Sequence, residues 1–188
     1  MSDESIRAQA ATASDSLQQL QDLLQRSERD DGKVRFPRGY LVDIKTWSAR
    51  VPWTQHYAVG KNVTYTLMLY DVQSWLLKRT DIAGLARDMV VKACVASLGW
   101  AAEALLVDAT SPPLGARQKL KSRVEHLSQK HVVSADLAAE LLWLWDMRNR
   151  QHLQELSERE FEVYQLRDVG RAEAAVFALC AALPQTPP

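Results

Sequence analysis

The sequence predicts an all-α protein: a helical bundle preceded by an N-terminal helical arm. The 188 residues include only 7 glycines, about half the usual share of ~7%, whereas β-sandwiches and barrels need glycine in many tight turns. Hydrophobic residues make up 47% of the chain, and most apolar runs repeat every three to four residues, as a helix face does. We divide the chain into an arm over residues 1–33, one bundle domain over 34–183 and a disordered tail over 184–188.

Charge and cysteine content exclude several classes of protein. Lys and Arg (23) balance Asp and Glu (23), so no global field attracts nucleic acid or an anionic membrane, and such a role requires a local patch. Cys94 and Cys180 lie in apolar runs without the spacing of a disulfide framework or a zinc site. The polar N-terminus lacks the apolar core of a signal peptide, so we expect a cytoplasmic protein.

The first half of the chain predicts three helices. Leucines at helical spacing predict an arm helix over residues 14–27, followed by a loop. Residues 36–53 are rich in tryptophan and bracketed by prolines; we expect a short helix over 40–49, in a segment that either covers the bundle or binds a partner. Residues 59–79 begin with β-branched residues, but their three-to-four spacing and the lack of a partner strand favour a helix.

The second half predicts a helical hairpin packed on a central helix. Asp81 is expected to cap a helix that is apolar nearly all round and ends near residue 109, before a break at Pro112 and Pro113. Its most apolar part contains Lys92 and Glu103, which favours a buried core helix over a membrane span. A basic helix follows over 114–130. Ser134 caps a helix to about residue 156, and after a turn at 157–160 the last helix covers about 167–183.

The candidate site lies on the helix that Ser134 begins. At about 100° per residue, Arg148 and His152 fall near the centre of its apolar stripe, which is formed by Leu137, Leu141 and Leu144. A charge in that position needs a partner or a water-filled groove. Arg148 and His152 are also four residues apart, so their side chains can act on one substrate group.

Such a pair suits metal-independent cleavage of RNA, in which a ribose 2′-hydroxyl attacks the adjacent phosphate. Arg148 offers a permanent cation with a planar fork, and His152 can transfer a proton near neutral pH. The arginine would then steady the charge that develops on the phosphoryl oxygens. The alternative is structural: Arg148 pairs with a core carboxylate such as Glu103, and His152 with a backbone carbonyl.

A basic ridge on the preceding helix supports an RNA substrate. Its members share one stripe about 60° wide: Lys119, Arg123, His126 and Lys130. Residues 114–131 contain five Lys and Arg against one Glu, a local charge that can follow a phosphate backbone, although a merely solvated face is an equally good interpretation. The histidines here lack metal-site spacing, so we expect neither a metal nor a cofactor.

The order of these elements resembles the HEPN superfamily over about residues 91–183, within a HEPN-like part of the domain over about 85–183. It runs from an apolar helix with Glu103 (SLGWAAEALL) through PPLGARQKL and a basic helix to LLWLWDMRNRQHL and a closing apolar helix. The resemblance implies an up-and-down bundle in which Arg148 and His152 are the catalytic pair and Asn149 orients them. Three residues separate Arg148 from His152, fewer than in most members of the family.

The resemblance also implies function and partners. HEPN domains commonly form homodimers with a shared Arg/His cleft, and many are metal-independent endoribonucleases of toxin–antitoxin or phage-defence systems, some with a cognate antitoxin. Others are non-catalytic modules that dimerise or bind a partner, which is the alternative here. A less favoured third class is a ligand-binding bundle with an enclosed apolar pocket lined by Trp47, Trp53 or Trp75. We expect a homodimer through the face that carries Arg148 and His152, with no membrane association.

Overall fold

The computed structural model describes residues 2–37, 39–115, 117–150 and 163–186. These residues form seven α-helices and one 3-10 turn, Asp30–Gly32, and contain no β-strand. The helices are α1 (Asp3–Leu24), α2 (Ile44–Arg50), α3 (Tyr57–Arg79), α4 (Gly84–Leu114), α5 (Leu120–Gln129), α6 (Ala135–Asn149) and α7 (Leu166–Ala182). The all-α prediction is confirmed, and α3 is a helix rather than a strand.

The chain divides into two compact units, Met1–Arg38 and Gly39–Pro188, so the boundary lies five residues later than predicted. The first unit contains α1, which begins at Asp3 and not near residue 14. The Ser5 amide donates to the Ser2 hydroxyl, Asp3 and Glu4 favour the positive end of the helix, and residues 8–13 are rich in alanine, the best helix former. The leucine spacing marked only the second half of this helix.

The second unit is a helical bundle built around α4. This helix packs against α3, α5, α6 and α7; α6 also contacts α5 and α7, and α2 packs on α3. The core is formed by fully buried side chains, among them Leu98, Leu105 and Leu106 of α4, Leu141 and Leu144 of α6, and Val176 and Leu179 of α7. By length and composition α4 is able to cross a membrane, and 61% of its most apolar window is buried in the bundle.

The tryptophan-rich segment covers one side of the bundle. Trp47 of α2 is 2% exposed, and its indole N–H donates to Asp71 at 2.8 Å, beside a second bond from the Val42 amide to the same carboxylate. Trp47 therefore fills the core instead of lining a ligand pocket. Trp53 lines two cavities. The more enclosed one measures only about 60 Å³, well below the ~300 Å³ of small-molecule sites, and the other, of about 420 Å³, is an open surface groove.

The helix α4 continues through Pro112 and Pro113 to Leu114, so the predicted break was wrong. A proline within a helix removes the N–H that would bond the carbonyl four residues earlier. For Pro112 that carbonyl belongs to Asp108, and the Gln55 side-chain amide donates to it at 3.0 Å. A residue from outside the helix thus compensates for one of the hydrogen bonds that the prolines remove.

The remaining helix ends differ in detail from prediction. Ala83, and not Asp81, precedes α4, and α5 starts at Leu120 instead of residue 114. Ser134 caps α6 as predicted, since the Leu137 amide donates to its hydroxyl at 3.1 Å. The predicted extension to residue 156 and the turn at 157–160 lie outside the described residues.

The start of the predicted tail is fixed to the bundle. The Trp53 amide donates to the Pro184 carbonyl at 2.9 Å, and the Gln185 side chain donates to the Cys180 carbonyl at 2.8 Å. Pro184 and Gln185, in the described part of this predicted tail, therefore contact the bundle.

Candidate functional site

Three of the predicted site residues meet where the last turn of α6 crosses α4. Arg148 Nη2 lies 2.9 Å from Glu103 Oε2, and Arg148 Nη1 donates to Asn149 Oδ1 at 2.9 Å. The two side chains of the ion pair are 25% and 32% exposed. The guanidinium is therefore held in one orientation while part of it still contacts solvent.

Gly99 makes this approach of the two helices possible. A methyl group at Gly99 would lie 2.7 Å from Arg148 Cβ and 3.7 Å from the Leu144 carbonyl oxygen. The first distance is shorter than non-bonded contacts between carbon atoms in proteins. Only glycine therefore fits where the aliphatic part of the Arg148 side chain crosses α4. Gly99 was not among the predicted site residues, although its place one turn before Glu103 in a run of small residues is a signal.

One hydrogen-bond donor of the Arg148 guanidinium has no partner among the described residues. Its Nε is buried and has no hydrogen-bond acceptor among the described residues, whereas Nη1 and Nη2 are engaged by Asn149 and Glu103. A buried donor without an acceptor costs about 1–3 kcal/mol. Within the described residues the Nε–H group is therefore an unused donor.

The predicted partner of Arg148, His152, lies outside the described residues. The described chain resumes at Val163, where the Tyr164 hydroxyl donates to the Met147 carbonyl at 2.7 Å. This bond ties the start of the last segment to the final turn of α6, one residue before Arg148.

The predicted basic ridge contains three members, not four. Lys119 and Lys130 are exposed and His126 is partly exposed, but Arg123 is 1% exposed. Arg123 donates to Thr110 Oγ1 at 2.8 Å and to the Gly115 carbonyl at 2.7 Å. The prediction that it contacts RNA was wrong, because it is directed into the bundle and satisfies the negative end of α4.

A second polar cluster, missed in the sequence, holds the start of α3 against α4. Asp108 is 3% exposed and accepts the backbone N–H groups of Gln55 (2.7 Å) and His56 (3.1 Å). Its Oδ1 also lies 2.7 Å from Nδ1 of His56, whose side chain is 66% exposed. A carboxylate suits the positive end of a helix. The sequence did contain a signal for this cluster: Asp108 is a single acidic residue in an apolar stretch of α4, and a buried carboxylate needs hydrogen-bonding partners.

A third cluster lines the groove between α6 and α7. The Arg171 guanidinium lies 3.9 Å from the centre of the Trp143 ring, and its Nη2 donates to Glu140 Oε1 at 3.0 Å. This hydrogen-bonded pair lowers the pKa of the Glu140 carboxyl. The groove beside it has a volume of about 490 Å³ and is also lined by Met147 and Arg167. Arg171 is already engaged in holding α7 to α6.

The two thiols are chemically inert where they lie. Cys94 and Cys180 are 0% and 6% exposed, and burial raises their pKa values to about 12 and about 11. A thiol must ionise to act as a nucleophile, so neither is one near neutral pH. Within the described residues, no group of three or more His, Cys, Asp or Glu side chains is arranged to bind a metal ion.

Comparison of the chain with models of known protein families, with curated proteins and with solved structures finds no match.

Proposed function

We propose that this protein is a metal-independent endoribonuclease of the toxin–antitoxin or phage-defence kind, acting through Arg148, Asn149 and His152. The observation that supports the proposal best is the geometry of Arg148. Its guanidinium is oriented by Glu103 and Asn149, its stem lies against Gly99, and a quarter of the side chain remains exposed. The resemblance of the motif to HEPN domains supplies the class of reaction.

In this proposal the ribose 2′-hydroxyl attacks the adjacent phosphorus and the bond from phosphorus to the 5′-oxygen breaks. His152 takes part in the accompanying proton transfer, since imidazole titrates near neutral pH. Arg148 stabilises the negative charge on the phosphoryl oxygens, and a preoriented donor does so without reorganising during the reaction. Glu103 and Asn149 are positioning residues, because they fix the guanidinium and need not touch the RNA.

The rest of the proposal concerns partners. Lys119, His126 and Lys130 contact the RNA backbone through the exposed side of α5. Two copies share a cleft between their Arg148 sites, a cognate antitoxin controls the activity, and the protein acts in the cytoplasm. These statements follow from the resemblance and from the local positive charge of residues 114–131.

The test is an RNA cleavage assay with single-stranded and transfer RNA in the presence of EDTA. We expect the wild-type protein to cut, and Arg148→Ala or His152→Ala to lower the rate by about 10²–10⁴, the usual contribution of a general acid or base or of an electrostatic group. The matched control is Arg150→Ala, which removes an exposed arginine two residues away that pairs with Asp146 at 3.0 Å.

The control variant should cut as the wild type does. Undiminished cutting by both Arg148→Ala and His152→Ala, with circular dichroism unchanged, would contradict the catalytic assignment.

The ion pair between Arg148 and Glu103 favours a second function, a non-catalytic helical module that dimerises or binds a partner. In that case the pair only joins α6 to α4, and the wild-type protein should not cut RNA. The double variant Arg148→Met/Glu103→Leu separates the two functions. Replacing both charges of a partly buried pair with apolar groups costs little stability, so a module keeps its melting temperature and partner binding, whereas a ribonuclease loses cutting with its fold intact.

A further inference from the structure

The arm helix α1 carries an apolar stripe with the spacing of a coiled coil. Within its 22 residues the stripe consists of Ile6, Ala10, Ala13, Leu17, Leu20 and Leu24. Successive members are separated alternately by four and three residues, which is the heptad spacing that lets two α-helices supercoil around each other. The partner that fits this stripe is therefore another α-helix with the same repeat.

The helix needs such a partner. Every residue of α1 is described and none is buried, while Ile6 and Leu17 are 50% and 51% exposed. In proteins most of the stability of a helix comes from packing an amphipathic face rather than from helix propensity, and α1 buries none of its residues.

The stripe is complementary to its own reverse. When a second copy is turned end for end so that its Leu17 faces Ala13, its Leu20 faces Ala10 and its Leu24 faces Ile6. Each alanine of one helix then packs against a leucine of the other. The distance between the two helices can therefore be the same along the whole contact, as close packing requires. A parallel pair would instead place alanine against alanine at two adjacent layers and leave a gap beside the leucine layers.

The charges of the arm agree with the reversed arrangement. It brings Asp3 and Glu4 of one helix next to Arg26, which follows the end of the other, and it opposes the two helix dipoles. The positions flanking the stripe contain a single charge: Arg7, Gln9, Ser14, Ser16, Gln21 and Leu23. Self-pairing thus brings no like charges together along the seam.

We propose that α1 forms an antiparallel two-stranded coiled coil with α1 of a second copy of this chain. The contact is about 33 Å long at 1.5 Å per residue and has two-fold symmetry, as most homodimer interfaces do. This proposal concerns the arm alone and does not rest on the proposed function.

The first experiment measures the mass of the full chain by size-exclusion chromatography with light scattering. The wild type should have twice the 21.2 kDa of one chain. Leu17→Lys places two charges in the central layers and should dissociate the arm pair, while Gln19→Lys puts the same charge on the outer face and should leave self-association unchanged. A contact at the Arg148 face would persist in both variants, so the two dissociation constants are compared. A monomeric wild type, or a Leu17→Lys variant that dissociates no more readily than Gln19→Lys, overturns the proposal.

The second experiment tests the direction of the pairing by disulfide cross-linking under mild oxidation. In the antiparallel register Ser14 lies near Ser14 of the second copy, so Ser14→Cys should form a covalent dimer. Ala13 faces Leu17 of the second copy, so Ala13→Cys should cross-link poorly. The native Cys94 and Cys180 are buried and should give little background. Rapid cross-linking of Ala13→Cys with none of Ser14→Cys indicates parallel helices and overturns the proposed geometry.

Discussion

Gly99 sets the distance between α4 and α6 at the candidate site, and its role is testable against a second helical glycine. Gly99→Ala should lower the free energy of unfolding by about 1–3 kcal/mol, the usual cost of overpacking, because the new methyl would lie 2.7 Å from Arg148 Cβ. Gly170→Ala is the matched control: a methyl there meets nothing within 4 Å, and alanine should stabilise α7 by about 0.5–1 kcal/mol.

Urea denaturation followed by tryptophan fluorescence measures both changes. If Gly99→Ala were as stable as Gly170→Ala, α4 and α6 would not approach as closely as the structure has them.

Two arginines show what the sequence can and cannot predict at the scale of a residue. Arg148 lies in the middle of an apolar stripe, so the need for a partner was evident, and Glu103 was correctly named as a candidate for it. Arg123 lies at the edge of the stripe formed by Leu120, Val124 and Leu127, where an arginine can be directed either to solvent or to the core. Its direction is decided by carbonyl and hydroxyl groups at the end of α4, which helical spacing does not reveal.

At the scale of an element, α5 is the helix on which the proposed RNA contact can be measured. Lys119 and Lys130 stand at its two ends and are exposed. Each phosphate contact to single-stranded RNA contributes about 0.7 to the slope of log affinity against log salt. The variant Lys119→Ala/Lys130→Ala should therefore bind RNA more weakly and reduce that slope by about 1.4.

Fluorescence anisotropy with a labelled RNA between 50 and 200 mM salt, roughly the range over which such slopes are determined, provides the measurement. Lys45→Ala/Arg87→Ala removes the same charge from exposed positions on α2 and α4 and should leave the slope unchanged. An equal effect of both double variants would mean that only net charge matters and that α5 is not the binding surface.

The helices themselves were predicted where their periodicity is strong, as for α3 and α7, but the ends were not always found. The prolines in α4 indicated a break, but the helix continues, and Gln55 donates to the freed Asp108 carbonyl. Gln55 lies 53 residues from that carbonyl in sequence. Local rules for helix ends therefore fail where a distant side chain replaces the missing hydrogen bond.

At the scale of the whole molecule, buried thiol and phenol groups that remain protonated in the folded state make the protein less stable at alkaline pH. Burial raises the pKa of Cys94 to about 12, of Cys180 to about 11 and of Tyr164 to about 12, and it also raises that of Tyr70. In the unfolded chain thiols ionise near pH 8.5 and phenols near pH 10, roughly as in model peptides. The unfolded state thus loses protons that the native state keeps, and the free energy of unfolding must fall as pH rises.

We expect stability to be constant with respect to these groups up to about pH 8 and then to decline, by at most about 1.4 kcal/mol per pH unit for each ionising group. Urea midpoints between pH 7 and 10.5 test this. The variant Cys94→Ala/Cys180→Ala should show a shallower decline near pH 9, where the thiols of the unfolded wild type ionise. A wild-type stability that does not change over this range would contradict the burial of these groups.

The hydrogen bond from Gln55 to Asp108 has a consequence for the order of folding. Gln55 precedes α3, and Asp108 lies near the end of α4, so their hydrogen bond closes a loop of 53 residues. Closing that loop costs chain entropy. The bond therefore forms only when α3 and α4 have packed against each other. Until then the carbonyl facing Pro112 has no donor from within its own helix. The last turn of α4 is therefore expected to be completed late, and its formation reports that the α3–α4 hairpin has closed.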